Sequence, residues 1–294
     1  MELVTVICER DEQDILLQAH SIDKFIEEPC SHWIKVEDGS KSILEWKDLL
    51  APYYKRHRLN LVFTERPDGP HFPDPYGLGY RRQMTEKLKL AARVESDNSL
   101  LLDAKNIFVR PTKLSEWPYK NGRGVYTYLE NEPADWFPKK WIYYIHEKTG
   151  LEIPKRFPPH MATPFALTTK YVKKAVEHPL FESLYFNTDV IPMTETFYYY
   201  FFVPDTELDP HGRTIYGSMN HLRLTRSVEH YVSDCLYLCD EQDSPTQGAH
   251  RRLRALMPQH TKDEYRDWLI GRGLDSKLVN DYVYFVHTDL AIGQ

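Results

Sequence analysis

The sequence lacks the signatures that identify most nucleotide-binding enzymes and hydrolases. It contains no Walker loop, no Gly-x-Gly-x-x-Gly after a strand, no His-Glu-x-x-His and no Gly-x-Ser-x-Gly. A phosphate-binding glycine loop is therefore excluded. An α/β fold built from this chain must hold any nucleotide with side chains and a metal ion instead.

Cysteines and long apolar runs are also scarce. The 294 residues include four cysteines, and no run approaches the length needed to cross a bilayer. Cys235 and Cys239 are one helical turn apart, but zinc would need a second pair of ligands, so structural burial is the favoured interpretation. The segment Met1–Val6 has the pattern of a strand and not of a signal peptide, which predicts a cytoplasmic location.

Positive charge does not predominate. The chain has 37 lysines and arginines against 43 acidic residues, a formal net charge of −6. We therefore expect no stable binding to nucleic acid, and a nucleic-acid-processing protein is disfavoured. Aromatic residues make up 13% of the chain, which fits stacking on sugars or nucleotides and equally fits a large aromatic core.

The first third of the chain alternates between strand-like and helix-like segments. The predicted strands are Leu3–Cys8, His32–Val36, Leu59–Phe63 and Ser99–Leu102, and the predicted helices are Asp14–Ile26, Lys41–Tyr54 and Arg81–Val94. This alternation predicts an α/β fold with a mostly parallel sheet flanked by helices. We expect one domain over residues 1–240, with residues 241–294 as a helical or mixed C-terminal extension packed on it.

Later segments are less regular. The pattern of Phe165–Val176 predicts a short strand or turn that leads into a helix, and Lys262–Ile270 predicts a helix that ends at Gly271. Thr194–Val203 is almost continuously aromatic. Periodicity fails there, so this segment is either a helix or a strand.

Asp103 directly follows the predicted buried strand Ser99–Leu102. Open α/β sheets bind ligands beyond the carboxyl ends of their strands, so an acid there can meet a phosphate-bound metal or a substrate hydroxyl. Acids at such positions also cap turns, and the sequence leaves both roles open. The preceding helix, Arg81–Val94, has a cationic side that we expect to be mostly solvated, with one or two cations available to a ligand.

Five segments together carry a resemblance to a known family. They are Thr5–Cys8 with its acidic turn, Arg82–Leu88, Leu101–Asn106, His160–Leu167 and Thr194–Tyr200. In combination they resemble the bacterial and phage family of uncharacterised, DUF-type glycosyltransferases with a GT-A-like fold. The resemblance covers roughly the first two-thirds of the chain. It implies a Rossmann-related, GT-A-like nucleotide-diphospho-sugar transferase.

The resemblance implies a nucleotide-sugar donor bound at the N-terminal sheet. The candidate donor-binding residues are Glu9, Asp38, Arg82, Lys87, Asp103 and Lys105. Asp103 matches the first acid of the Asp-x-Asp motif of such enzymes, so Asp103 and His287 are the candidate ligands of Mn²⁺ or Mg²⁺. Lys105 stands where that motif has its second acid. Metal dependence therefore stays open, and Lys105 can itself meet the diphosphate.

The chemistry of glycosyl transfer sets what the site needs. Negative charge develops on the departing diphosphate, so cations or a metal must face it, and a carboxylate must lie near the acceptor hydroxyl. Glu195 is the candidate base, because it is a lone acid beside an aromatic run, although a structural partner for it is an equal alternative. Asp103 and Glu195 are the candidate catalytic residues. His160, Glu195 and Tyr198 are the candidate acceptor-binding residues.

Two functions from different classes follow from these residues. The first is a glycosyltransferase that uses a nucleotide-diphosphate sugar and an acceptor hydroxyl of unknown identity. The alternative is a non-catalytic carbohydrate- or nucleotide-binding protein whose glycosyltransferase site is degenerate at Lys105.

Overall fold

A computed structural model describes residues 1–37, 41–64, 77–104, 106–108, 111–115, 119–120, 123–124, 139–154, 165–186, 194–204, 235–237 and 262–281. Four of the predicted site residues lie outside these ranges: Asp38, Lys105, His160 and His287. The predictions made for them therefore stay predictions.

Strands and helices alternate through the N-terminal part of the chain. The strands are β1 (Glu2–Ile7), β2 (Ser31–Glu37), β3 (Arg58–Thr64), β4 (Asn98–Leu102), β5 (Asn106–Phe108), β6 (Tyr119–Lys120), β7 (Arg123–Gly124), β8 (Phe165–Thr168) and β9 (Cys235–Tyr237). The helices are α1 (Glu12–Phe25), α2 (Ile43–Leu50), α3 (Gly77–Ala91), α4 (Lys139–Thr149), α5 (Thr169–Glu177), α6 (Phe181–Phe186), α7 (Glu195–Tyr200) and α8 (Lys262–Gly271). In the part of the chain that the structure describes, no helix combines the length and apolarity that a membrane span requires.

The central sheet has five strands in the order β3-β2-β1-β4-β8. The first four of these strands are parallel, and β8 runs antiparallel to β4. This confirms the predicted α/β class with a mostly parallel sheet. The strand order reverses between β1 and β4, so the carboxyl ends of these two strands flank the crevice in which open α/β sheets bind ligands.

Helices cover both faces of this sheet. Successive side chains of a buried strand point to opposite faces, so neighbouring residues of β1 contact different helices. Leu3 of β1 packs with α1, α2 and α8 on one face, whereas Val4 packs with α3 to α7 on the other. We call these the α1 face and the α3 face. Every residue of β1 from Leu3 to Ile7 is buried, as expected for a strand with a continuous apolar run.

Helix α3 is more deeply buried than its cationic pattern predicted. Arg81 is 1% exposed and Lys87 3% exposed, so the expectation of a mostly solvated cationic side was wrong for these two residues. The reason is that α3 packs against β1 and β4 on one side and against α5, α6 and α7 on the other. Arg81 Nη1 donates a hydrogen bond of 2.8 Å to the carbonyl oxygen of Tyr185 in α6.

The segment Thr194–Val203, in which the sequence shows no clear periodicity, contains a helix. Glu195–Tyr200 is a helix with all six residues buried, so its continuous aromatic pattern reflects burial on all sides. The strand leading into a helix at residues 165–176 is confirmed as β8 and α5, and α8 confirms the helix predicted near residue 262. Leu269 of α8 belongs to the core of the α1 face. The domain division at residue 240 stays a prediction.

Candidate functional site

Three of the predicted site residues meet at the carboxyl end of β4. Lys87 Nζ lies 2.6 Å from Asp103 Oδ1 and 3.1 Å from Glu195 Oε1. Lys87 comes from α3, Asp103 directly follows β4, and Glu195 begins α7, so the fold joins residues as far as 108 positions apart. We call these three residues the Lys87 cluster.

The Lys87 cluster is buried at one end and accessible at the other. The side chains of Lys87 and Glu195 are 4% and 3% exposed, whereas that of Asp103 is 24% exposed. Burial alone would lower the pKa of Lys87, but the carboxylates of Asp103 and Glu195 outweigh it and raise that pKa above its ordinary value. The ammonium therefore stays charged and bridges the two acids.

Burial and Lys87 act on the pKa of Glu195 in opposite directions. Burial raises the pKa of Glu195 above its ordinary value, and the ammonium of Lys87 offsets only part of this effect. A carboxylate whose pKa is raised accepts a proton more readily than an ordinary one. The cluster can therefore take up a proton at Glu195 while Lys87 keeps a positive charge beside it.

Asp103 is held by its backbone as well as by its carboxylate. Its N–H donates to Asn106 Oδ1 at 2.7 Å, and its carbonyl oxygen accepts from the Asn106 N–H at 2.9 Å. The same carbonyl oxygen accepts a hydrogen bond of 2.6 Å from Gln18 Nε2 of α1. Asp103 is thus fixed by Lys87 from the α3 face and by Gln18 from the α1 face.

The other described site candidates are Glu9, Arg82 and Tyr198. Glu9 follows β1, next to the crevice, and its Oε1 lies 3.4 Å from Lys41 Nζ. Arg82 is half-buried on α3. Tyr198 is fully buried, and its hydroxyl donates to the carbonyl oxygen of Ala175 at 3.1 Å. The donor-binding roles of Glu9 and Arg82 and the acceptor-binding role of Tyr198 stay predictions.

A divalent metal would need more ligands than the described residues bring together. Mg²⁺ and Mn²⁺ favour oxygen ligands. Asp103 can offer its carboxylate as such a ligand, although one oxygen of that carboxylate contacts Lys87. Within the described ranges no group of three or more His, Cys, Asp or Glu side chains could hold a metal ion. The described residues therefore do not by themselves make up a complete metal site.

A buried polar chain on the α1 face was not predicted from the sequence. Thr5 Oγ1 lies 3.0 Å from Gln18 Oε1 and 2.8 Å from His32 Nε2, and His32 Nδ1 lies 2.6 Å from the hydroxyl of Tyr54. Thr5, Gln18 and His32 are completely buried. We call these four residues the Gln18 relay, because Gln18 connects them to the backbone at Asp103.

The Gln18 relay predicts a pH dependence of stability. Burial lowers the pKa of His32 to about 3, so the unfolded state binds a proton more readily than the folded state. As the pH falls below about 6.5, the ordinary pKa of histidine, this difference destabilises the fold. From about pH 7.5 to pH 5 we expect the wild type to lose about 2 kcal/mol of unfolding free energy relative to His32→Gln.

Urea denaturation of both proteins at the two pH values measures this difference. Other titrating groups, such as His57, whose pKa burial also lowers, are shared by the two proteins and largely cancel in the comparison. Equal pH slopes for the wild type and His32→Gln would contradict the buried, neutral state of His32.

The comparisons with known proteins show weak structural similarity and no sequence family. No family model matches the chain, and no curated protein is significantly similar to it. The chain is similar to the solved structure of the galactosyltransferase LgtC in complex with donor and acceptor sugar analogs. The two sequences are 15% identical, the match covers 91% of this chain and 100% of that chain, and the TM-score is 0.45. An active-site mutant of LgtC gives 13% identity, the same coverage and a TM-score of 0.47.

A third similar structure is mouse xyloside xylosyltransferase 1. It is 11% identical, the match covers 68% of this chain and 80% of that chain, and the TM-score is 0.38. At these identities and TM-scores, the similarities do not identify the function of this protein.

Proposed function

We propose that this protein is a glycosyltransferase that moves a sugar from a nucleotide-diphosphate donor to an acceptor hydroxyl, with the Lys87 cluster as its catalytic centre. The observation that carries the proposal is the meeting of Lys87, Asp103 and Glu195 at the carboxyl end of β4. This position adjoins the β1–β4 crevice, the place where open α/β sheets bind ligands. The proposal includes membership of the bacterial and phage GT-A-like family that the sequence resembles.

Glu195 is the proposed base. Burial raises the pKa of its carboxyl group, which suits removal of the proton from an acceptor hydroxyl as the new glycosidic bond forms. Lys87 holds this carboxylate in place, so little reorganisation is needed when the proton arrives. His160 and Tyr198 are proposed to contribute to the acceptor side.

Lys87 and Asp103 are proposed to act on the donor side. The bond from the anomeric carbon to the diphosphate oxygen breaks, and its electron pair leaves with the diphosphate, so a nearby positive charge stabilises the developing negative charge. Lys87 keeps its charge because two carboxylates neighbour it. The partly exposed carboxylate of Asp103 is proposed to meet a sugar hydroxyl or a divalent ion, which when bound would stabilise the diphosphate.

The remaining donor contacts are proposed from position. Glu9 follows β1, the neighbour of β4 in the sheet, and Arg82 lies on α3, the helix that also carries Lys87. Asp38 and Lys105 complete the proposed donor-binding set, and His287 is the second proposed metal ligand. The proposed location of the protein is the cytoplasm.

A thermal-shift panel tests the donor class. The wild type and Asp103→Ala are heated with uridine, guanosine, cytidine and thymidine diphosphate sugars, each with and without Mn²⁺. A donor that binds only the folded protein raises its melting temperature, by an amount that grows with ligand concentration. We expect one nucleotide to stabilise the wild type and to stabilise Asp103→Ala less.

The panel separates the two functional classes when it is followed by an assay of the donor. Stabilisation together with release of nucleoside diphosphate supports the transferase. Stabilisation by a nucleotide sugar that is never consumed, with any acceptor supplied, would favour the non-catalytic binding protein. If no nucleotide sugar stabilises the wild type with or without Mn²⁺, the proposal is wrong.

A further inference from the structure

A directed series of hydrogen bonds reaches Asp103 from the face of the sheet opposite Lys87. Gln18 Nε2 donates to the carbonyl oxygens of Asp103 at 2.6 Å and Asn106 at 3.0 Å, with that of Ala104 at 3.3 Å. A carbonyl oxygen can only accept, so the amide nitrogen of Gln18 must face this turn. Its other end, Oε1, therefore faces Thr5.

The direction of the remaining bonds follows from counting protons. Thr5 has one hydroxyl hydrogen and donates it to Gln18 Oε1, so the same oxygen must accept from His32 Nε2. His32 therefore carries its proton on Nε2 and accepts from the hydroxyl of Tyr54 on Nδ1. This pattern requires a neutral ring, as expected for a histidine whose pKa burial lowers to about 3.

The relay ends on the one turn that carries a residue of the Lys87 cluster. The Asn106 N–H closes this turn on the carbonyl oxygen of Asp103, and Gln18 binds the same oxygen. The carboxylate of Asp103 contacts Lys87 on the other face. A shift of the turn toward or away from α1 would therefore move the carboxylate relative to the ammonium.

We propose that Gln18 is a positioning residue for the reaction of the Lys87 cluster. It clamps the backbone at Asp103, Ala104 and Asn106, so that the carboxylate of Asp103 stays in contact with Lys87. The proposal rests on the proposed function, because it assigns Gln18 a part in that reaction. The clamp itself can be measured without any substrate.

Polar side chains in a core are costly unless they are fully hydrogen-bonded, and a complete network rigidifies the groups that it joins. Here Thr5, Gln18 and His32 each have partners on both sides. Through Gln18, this network restrains the backbone at Asp103. Since a displacement of about 1 Å at a reacting group can lower a rate by about 100-fold, a loosened turn would have a large effect on catalysis.

Three variants test the positioning role. Gln18→Met keeps the length of the side chain but cannot donate, and we expect it to lower kcat/KM about 100-fold. Thr5→Val removes the donor that orients the Gln18 amide, whereas Thr5→Ser keeps a hydroxyl. We expect Thr5→Ser to retain most of the activity that Thr5→Val loses.

A double-mutant cycle separates positioning from general destabilisation. If Gln18 acts through Asp103, Gln18→Met should have little further effect on kcat/KM in an Asp103→Asn background, because coupled residues are not additive. Independent effects that multiply in the double variant would overturn the positioning role.

Nuclear magnetic resonance tests the clamp even if no nucleotide sugar is turned over. We expect the nitrogen shifts of His32 in the wild type to show the tautomer protonated on Nε2. The Asn106 amide should exchange its hydrogen faster in Gln18→Met than in the wild type. A proton on Nδ1, or unchanged exchange at Asn106, would overturn the clamp, whereas absent turnover with both signals as expected would overturn the proposed function alone.

Discussion

Replacing Glu195 by glutamine is expected to lower sugar transfer by about 10²- to 10⁴-fold, the usual contribution of a general base. The amide can still accept a hydrogen bond from Lys87 but cannot take up a proton. Binding of the donor, measured by its thermal shift, should change little, because the base acts on the acceptor. The measurement is the initial rate of transfer at saturating donor.

Glu182→Gln is the matched control for this change. Glu182 is also a helical glutamate paired with a lysine, since its Oε1 lies 2.5 Å from Lys89 Nζ, but its side chain is 63% exposed. We expect this variant to transfer sugar at close to the wild-type rate. A Glu195→Gln enzyme as fast as Glu182→Gln would remove Glu195 from the reaction.

Replacing Lys87 by methionine is expected to cost about 3–5 kcal/mol of unfolding free energy near neutral pH, because it leaves the buried carboxylate of Glu195 without its cation. Lys89→Met is the control. Lys89 is on the same helix and pairs with Glu86 and Glu182, yet its side chain is 31% exposed, so we expect a loss of about 1 kcal/mol or less. Urea denaturation measures both values.

Two further observations distinguish a lost ion pair from a lost packing contact in Lys87→Met. Without the ammonium, the folded-state pKa of Glu195 rises further above its unfolded value, so the loss of stability should shrink as the pH falls toward the ordinary pKa of glutamate. The double variant Lys87→Met with Glu195→Gln should be more stable than Lys87→Met alone. A loss that is independent of pH and additive in the double variant would contradict the buried ion pair.

Much of the fold follows from local sequence patterns. The parallel strands β1 to β4 were predicted because short apolar runs alternate with amphipathic segments, and a parallel sheet covered on both faces is the architecture that buries such runs. The addition of β8 antiparallel to β4 was not predicted, since pairing between segments more than 60 residues apart in the register Asn98 to Thr168 leaves no local signal.

The sequence predicts the members of the Lys87 cluster separately but does not predict that they are in contact. Asp103 was identified because it follows a buried strand, and Glu195 because it is a lone acid in an aromatic segment. That Lys87 joins them depends on the packing of α7 against α3, which the helical pattern of Arg81–Val94 does not contain. The same packing explains why Lys87 is buried although its helix has the charge of a solvated one.

The Gln18 relay has a weak signal in the sequence. Gln18 lies three residues after Ile15 and four before Ile22, so it occupies the core-facing stripe of α1. A polar residue in that register must find a buried partner. Its partners are the carbonyl oxygens after β4, and only the folded structure could identify them.

The Lys87 cluster is proposed to transfer sugar from a nucleotide-diphosphate donor. The release of nucleoside diphosphate from the donor that stabilises the protein most, followed over time for the wild type and for Asp103→Ala, tests this proposal. We expect steady release by the wild type and a rate lower by about 100-fold or more in the variant. Equal rates for the two proteins, or no release by the wild type, would contradict it.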